Sequence, residues 1–270
     1  MRKLRKWLAT GLIGLFLMLG CGHFAGKRGY DYDFGSIHKS IHVLKNIQDS
    51  IITYYCKATF EENVPPLELQ GVGFSLDGKY IITPAHIVEI PTARNIMSPM
   101  GPWAVPVTTT KMEYWIVKEG LWNFLETPCR IPLQCKIGPG DVAILWAENE
   151  TFDILPVGIG DSDKIQIGQV VLTTTYPRWI GKGFDRATIM SISSWRVPKT
   201  TELKNENLFL VDEHSIAGDS GSPVFVLQNG KFKLIGVADA AWPNIPVGGI
   251  LKINHILKHA NKLIAETEVQ

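Results

Sequence analysis

The residue pattern predicts an all-β domain, organised as a sandwich or a pair of barrels. Three observations carry this. Short β-rich runs recur between Gly and Pro punctuation: Tyr114 to Val117, Val142 to Trp146, Gln169 to Thr174, Ala187 to Ser193, Leu208 to Val211, Pro223 to Leu227 and Lys233 to Ala238. Tight-turn dipeptides join neighbouring runs, with Asp77-Gly78 between Gly71–Leu76 and Tyr80–Thr83, and Asn229-Gly230 before Lys233. Finally, 270 residues with 45% hydrophobic and 20% charged content suffice for a sizeable core in one two-barrel domain or two modest domains.

Along the chain, residues 1–21 form a targeting segment. Arg2, Lys3, Arg5 and Lys6 precede an uncharged stretch, Trp7 to Gly20, that is short for a membrane span. Its end, Leu17-Met18-Leu19-Gly20-Cys21, resembles the lipobox of bacterial lipoproteins, with Met18 departing from the usual Leu, Val or Ile. The resemblance implies lipidation of Cys21, an anchor in a membrane of the bacterial cell envelope, and a domain facing the periplasm or exterior. Residues 22–35 are Gly-rich and polar, as a tether would be. The folded domain is expected over residues 36–270. Within it, Ile37, Ile41, Leu44, Ile47 and Ile51 have helical spacing over Ser36 to Thr53. The closing Ile253 to Ala265 is helical as well, with His255, Lys258 and His259 on a polar face expected to be solvated. Residues 90–133, rich in Pro, Met and Trp, are expected to form an irregular insertion packed on the barrel.

A formal net charge of +1 gives no general electrostatic case for nucleic acid. No Cys or His cluster has metal-ligand spacing, so neither metal nor organic cofactor is expected. Cys129 and Cys135 flank a short loop that a disulfide could close in an oxidising compartment, which would leave Cys56 unpaired.

Chemistry is concentrated in three segments. Gly218-Asp219-Ser220-Gly221-Ser222-Pro223 offers a serine hydroxyl on a turn whose backbone N–H groups, those of Gly218 and Ser220, can converge on a developing oxyanion. Thr83-Pro84-Ala85-His86 places a histidine just past a strand, and Gly140-Asp141 opens another. Each alone suits an ordinary turn. Their order, His then Asp then Ser, differs from that of subtilisins and α/β-hydrolases.

With these motifs the sequence resembles the trypsin-like serine peptidases of chymotrypsin fold, and in particular the bacterial Deg/HtrA branch. Thr83-Pro-Ala-His86 resembles that branch's Thr-x-x-His, and Gly160-Asp161-Ser162-Asp163 its Gly-Asp-Ser-Asp stretch. Leu234-Ile-Gly236-Val and Gly248-Gly249-Ile250 resemble strands that wall its substrate cleft. The similarity runs from about Ile51 to about Leu263.

The resemblance implies two six-stranded β-barrels with a C-terminal helix, and no PDZ domain is expected to follow. It implies an endopeptidase with Ser220 as nucleophile, His86 as general base and Asp141 orienting the histidine. It places His214 and Ser215 at the base of the substrate pocket, with Ala238, Asp239, Ala240 and Ala241 along its wall, where Asp239 either meets a basic side chain or bonds near Asp141. Asp219 departs from the branch's Asn, and no Ile-Val-Gly-Gly activation site supplies it with an amine. A rival reading is a catalytically silent, protease-like protein that binds peptides or acts as an envelope scaffold. For the active enzyme, kcat/KM should rise through one ionisation near the ordinary histidine value of about 6.5.

Overall fold

The computed structural model describes residues 34–61, 64–98, 101–117, 129–175, 183–192, 205–212, 219–241 and 247–269. The targeting segment with Cys21, as well as His214, Ser215 and Gly218, lie outside them.

Helix α1 (Phe34–Ser50) leads into a first sheet of β1 (Ile52–Phe60), β2 (Leu67–Gly73), β3 (Ile81–Thr83), β6 (Thr109–Val117), β7 (Arg130–Gly138) and β8 (Val142–Trp146). Its order is β2-β1-β6-β7-β8-β3, and a bridge from Phe74 to Ile82 joins its ends. In β1 every second residue points inward, so Tyr54, Cys56, Ala58 and Phe60 are buried while Tyr55 stacks outside on Trp115. A hairpin of β4 (Ala93–Ser98) and β5 (Gly101–Pro106) forms a separate small sheet.

The second sheet contains β9 (Gly158–Ile159), β10 (Val170–Thr175), β11 (Gly183–Ser191), β12 (Leu208–Val211), β13 (Pro223–Gln228), β14 (Lys231–Ala241) and β15 (Gly248–Lys252). Its order is β13-β10-β11-β12-β15-β14-β9, and the β13–β14 pairing closes six of the strands into a ring. Helix α2 (Ile253–Glu268) follows. One buried cluster runs from Val72, Phe74 and Ile144 of the first barrel through Leu208, Phe225 and Leu234 of the second to Ile256 and Leu263 of α2. The barrels are thus cemented by shared apolar burial rather than joined by a linker alone.

Two expectations are corrected. Residues 90–133 are not an irregular insertion, because β4, β5, β6 and the start of β7 run through them. Periodicity is hard to see there because Pro102, Trp103, Pro106, Trp115 and Pro132 sit within the strands themselves; Trp115 pairs with Pro132 across β6 and β7. Cys129 and Cys135 are unbridged. Cys129 is exposed ahead of β7, whereas Cys135 lies five residues beyond the strand's first residue, and an extended run of that length separates the two by about 20 Å. That is far beyond the roughly 7 Å a disulfide tolerates.

Candidate active site

His86 sits in a single turn of 3-10 helix, Ala85–Ile87, entered from β3 through Pro84. The turn is capped from the neighbouring strand. Asp141 lies in the tight β7–β8 connection with φ 58, next to Gly140 with φ 76. Aspartate is among the few residues that tolerate this left-handed region. The backbone carbonyl of Asp141 accepts the N–H of Ala85 at 3.1 Å, and its carboxylate Oδ1 accepts that of His86 at 2.7 Å. Oδ2 then meets His86 Nδ1 at 2.8 Å. An ionised carboxylate only accepts, so Nδ1 carries a proton, and in the neutral imidazole the lone pair is then on Nε2.

The loop that offers Asp141 is braced from outside. His255 of α2 donates from Nε2 to the Gly140 carbonyl at 2.8 Å, and its ring lies 4.5 Å from that of His259. His255 is therefore a half-buried support rather than the solvated residue expected from its helical position. Burial pushes its imidazole below the ordinary value, so it stays neutral while donating.

Ser220 occupies a four-residue turn, residues 219–222, closed by Ser222 N–H donating to the Asp219 carbonyl at 2.9 Å. Gly221 has φ 93 in its third position, as in a type II turn. The turn is pinned to β14: Gly221 N–H donates to the Ala238 carbonyl, and Ala238 N–H to the Ser222 carbonyl, each at 2.8 Å. A Cβ on Gly221 would lie 1.7 Å from the Val72 carbonyl oxygen and 3.2 Å from Thr83 Oγ1. The serine turn of the second barrel thus rests on the β2 backbone at Val72 and on the side chain of Thr83 of β3, three residues ahead of His86. Gly221→Ala is accordingly expected to lose about 3 kcal/mol or more, because the Val72 backbone cannot yield and alanine is strained at this positive φ. That corresponds to a fall of about 6–12 °C in the thermal midpoint. An unchanged melting curve would contradict this packing.

Of the two readings of Asp239, the structure has the second: its carboxylate lies beside His86 and Asp141. A β-bulge falls at this point of β14, where Ala238 pairs with Ile250 and Ala240 already with Gly249. The extra residue breaks the alternation and re-aims its side chain. Asp239 Oδ1 lies 3.4 Å from His86 Nδ1, on the same side of the ring as Asp141 and away from Nε2. Both carboxylates are nearly inaccessible, with side-chain exposures of 2% for Asp141 and 4% for Asp239. Ala238 is buried, its backbone holding the serine turn, and Ala241 pairs with Gly248.

Two acids on one imidazole change its chemistry. Burial alone would lower His86, but the Asp141 hydrogen bond and the charges of Asp141 and Asp239 outweigh it and push the imidazole up to about 10. Burial likewise opposes ionisation of Asp141, yet its bonds with His86 and Asp239 bring that carboxyl down to about 2. Asp239 goes the other way: burial, and the Asp141 charge beside it, push it up to about 7 against the pull of His86. The value near 6.5 expected for His86 assumed one acid partner, and the second acid moves it upward. Ligand-type atoms of His86, Asp141 and Asp239 lie within 4.8 Å of one another, the one such cluster among the described residues. Because Nδ1 and Asp141 already share a proton at hydrogen-bond distance, a cation there would have to displace it.

The Gly160-Asp161-Ser162-Asp163 stretch has a different task. Asp161 accepts from Asp163 N–H at 3.1 Å and from Asn254 Nδ2 at 3.0 Å, and Asn254 N–H donates to Ser162 Oγ at 3.2 Å. This ties the entry of the second barrel to the start of α2.

No protein-family model matches the chain, and no curated protein matches it. Solved structures do. The HtrA-type protease AlgW with a bound tripeptide superposes with a TM-score of 0.57 at 14% identity, over 84% of this chain and 64% of that one. The chain therefore spans less than two thirds of AlgW's length. Deg5 gives 0.55 at 16% identity, over 84% and 95%. An inactive serine-to-alanine form of Rv3671c from M. tuberculosis H37Rv gives 0.51 at 18%, over 83% and 90%. The chain has the chymotrypsin-like fold of the HtrA/Deg-type serine proteases.

Proposed function

We propose that this protein is a serine endopeptidase of the bacterial cell envelope that cleaves peptide bonds through an acyl-enzyme. The observation that carries the reading is the doubly held histidine. Asp141 grips both the backbone N–H and Nδ1 of His86 at 2.7 and 2.8 Å, which makes Nε2 the basic nitrogen once the ring is neutral. The pinned turn that presents Ser220 beside β3, the fold shared with HtrA-type proteases, and the peptides bound to AlgW in its structures support it further.

In this mechanism His86 Nε2 takes the Ser220 proton as Oγ attacks the scissile carbonyl. Asp141 keeps the tautomer and stabilises the imidazolium. The N–H groups of Gly218 and Ser220 receive the oxyanion, a contribution of about 3 kcal/mol per donor. His86 then protonates the leaving amine, and water, activated by the same nitrogen, releases the acyl group. Cleavage of a peptide library by the purified protein tests the reading and reads out the preferred side chain; a library left intact from pH 6 to 10 contradicts it.

Membrane attachment through lipid on Cys21 belongs to the same proposal, on the strength of the Leu-Gly-Cys ending. Cys21→Ala is expected to move the protein from the membrane fraction to the soluble one. A variant that is cleaved at the same place and stays membrane-bound without lipid would show the anchor to be elsewhere.

A further inference from the structure

The site holds one carboxylate more than the proposed mechanism uses. Asp239 is buried and faces Nδ1 of His86, and its Oδ1 has no hydrogen-bond partner among the described residues. An orphaned buried acceptor is costly, and an ionised one more so. The bulge that aims it there interrupts β14 next to Ala238, the residue that pins the serine turn. Such bulges re-aim side chains beside active sites.

Resting on the peptidase reading, we propose that Asp239 is a positioning residue that sets the basicity of His86: its second negative charge holds the proton on the imidazole at neutral pH and restrains the enzyme until the pH rises. The physical argument is one of charge. With Asp141 ionised, a neutral His86 would leave two buried carboxylates facing each other with a single Nδ1–H between them. The arrangement is relieved in two ways. His86 can stay an imidazolium, which neutralises one charge but occupies Nε2. Alternatively, Asp239 can take the proton and donate it to Asp141, which frees Nε2 as a base. The two forms carry the same number of protons and differ only in whether Nε2 or Asp239 holds one of them, so the pair titrates as a unit. Either way, loss of the Asp239 charge makes His86 easier to deprotonate.

The groups facing this proton are few. They are His86 from the 3-10 turn, Asp141 from the β7–β8 connection and Asp239 from β14. From α2, His255 acts on Asp141 through the Gly140 carbonyl, with Lys258 and His259 beside it. His255 and His259 both titrate below their ordinary value, so they do not shape a limb above pH 6.5.

The experiment has two arms on the full-length protein in detergent. In the first, kcat/KM is followed from pH 5 to 11 for wild type and Asp239→Asn. The acid limb is expected to lie well above 6.5 in wild type and to fall by at least one unit in the variant. At pH 7 the variant is then about tenfold more active than wild type, since each unit changes the neutral fraction tenfold. A merely structural role would lower activity at every pH alike. In the second arm, the His86 imidazole is titrated by NMR in Ser220→Ala and in Ser220→Ala/Asp239→Asn, which needs no turnover. A drop of one unit or more supports the proposal. Equal titrations overturn it, and so does a His86 value at or below 6.5 in the chain that retains Asp239, a result that depends on no change at that position. If the imidazole shift is found but no peptide is cleaved, the coupling stands and the peptidase reading fails. If peptides are cleaved without the shift, the coupling fails and the peptidase reading stands.

Discussion

Ser220→Ala is expected to lose about a million-fold in kcat while its thermal midpoint stays within a degree or two of wild type. The magnitude follows from removing the nucleophile of a unit that acts together, where one missing member costs nearly as much as all. The stability follows from position. Ser220 is only partly buried, and the turn around it is closed by backbone bonds of Gly221 and Ser222 that alanine leaves intact. Steady-state hydrolysis of a peptide found in the library, with circular dichroism on the same preparation, checks both halves. Retention of more than about one hundredth of wild-type kcat would sink the assignment, since that loss is smaller than a single oxyanion donor can cause.

Asp141→Asn is expected to lower kcat by about ten-thousand-fold, and Asp161→Asn to leave it within a few-fold. In the first, the amide oxygen can still accept the His86 N–H where Oδ1 does at 2.7 Å. The amide nitrogen then faces Nδ1 and donates to it, which forces the proton onto Nε2 and removes the base. Asp161 offers a sharp contrast. It pairs with exposed Lys164 at 3.0 Å, and these bonds, with Asn254, hold its carboxyl below the usual range. Those contacts staple a turn and touch neither His86 nor Ser220. Both variants are to be confirmed as folded and assayed side by side. An inactive Asp161 variant beside an active Asp141 variant would mean that the acid is misplaced, and with it the register of the first barrel.

Much of this frame was legible in the residues because local signals and burial agreed. Val142–Trp146 and Leu208–Val211 are apolar runs with clear ends, and the strands fall where those ends lie. Asn229-Gly230 reads as a hairpin and adopts φ 51 and 70 between Gln228 and Lys231. Other elements were hidden by sequence features that mean one thing locally and another in the sheet. In β7, Pro132 sits opposite Trp115, and proline within a run argues against a strand unless the partner tolerates it. The Cys129–Cys135 spacing suggests a loop only if the intervening residues turn back, and here they extend as β7.

Asp239 and His255 illustrate a deeper limit. Simple alternation along β14 predicts which way each side chain faces, and a bulge at one residue voids that count. No local signal in the sequence marks the bulge. An aspartate in an otherwise small, apolar stretch, Gly236 to Ala241, was the one available hint, since a charge in such surroundings needs a partner. His255 faces the polar side of α2 by periodicity alone, but the helix packs so that this side meets the Gly140 carbonyl. Contacts between elements far apart in sequence fix both roles.

The central claim is that Ser220 is a nucleophile activated by His86. Its most direct test is labelling with a fluorophosphonate, which reacts covalently with activated serines, followed by mass spectrometry of the digested protein at pH 9. The account predicts one phosphonyl adduct, on Ser220, that is absent from both Ser220→Ala and His86→Ala. An unlabelled wild-type protein, or an adduct that survives in His86→Ala at the wild-type rate, would contradict it.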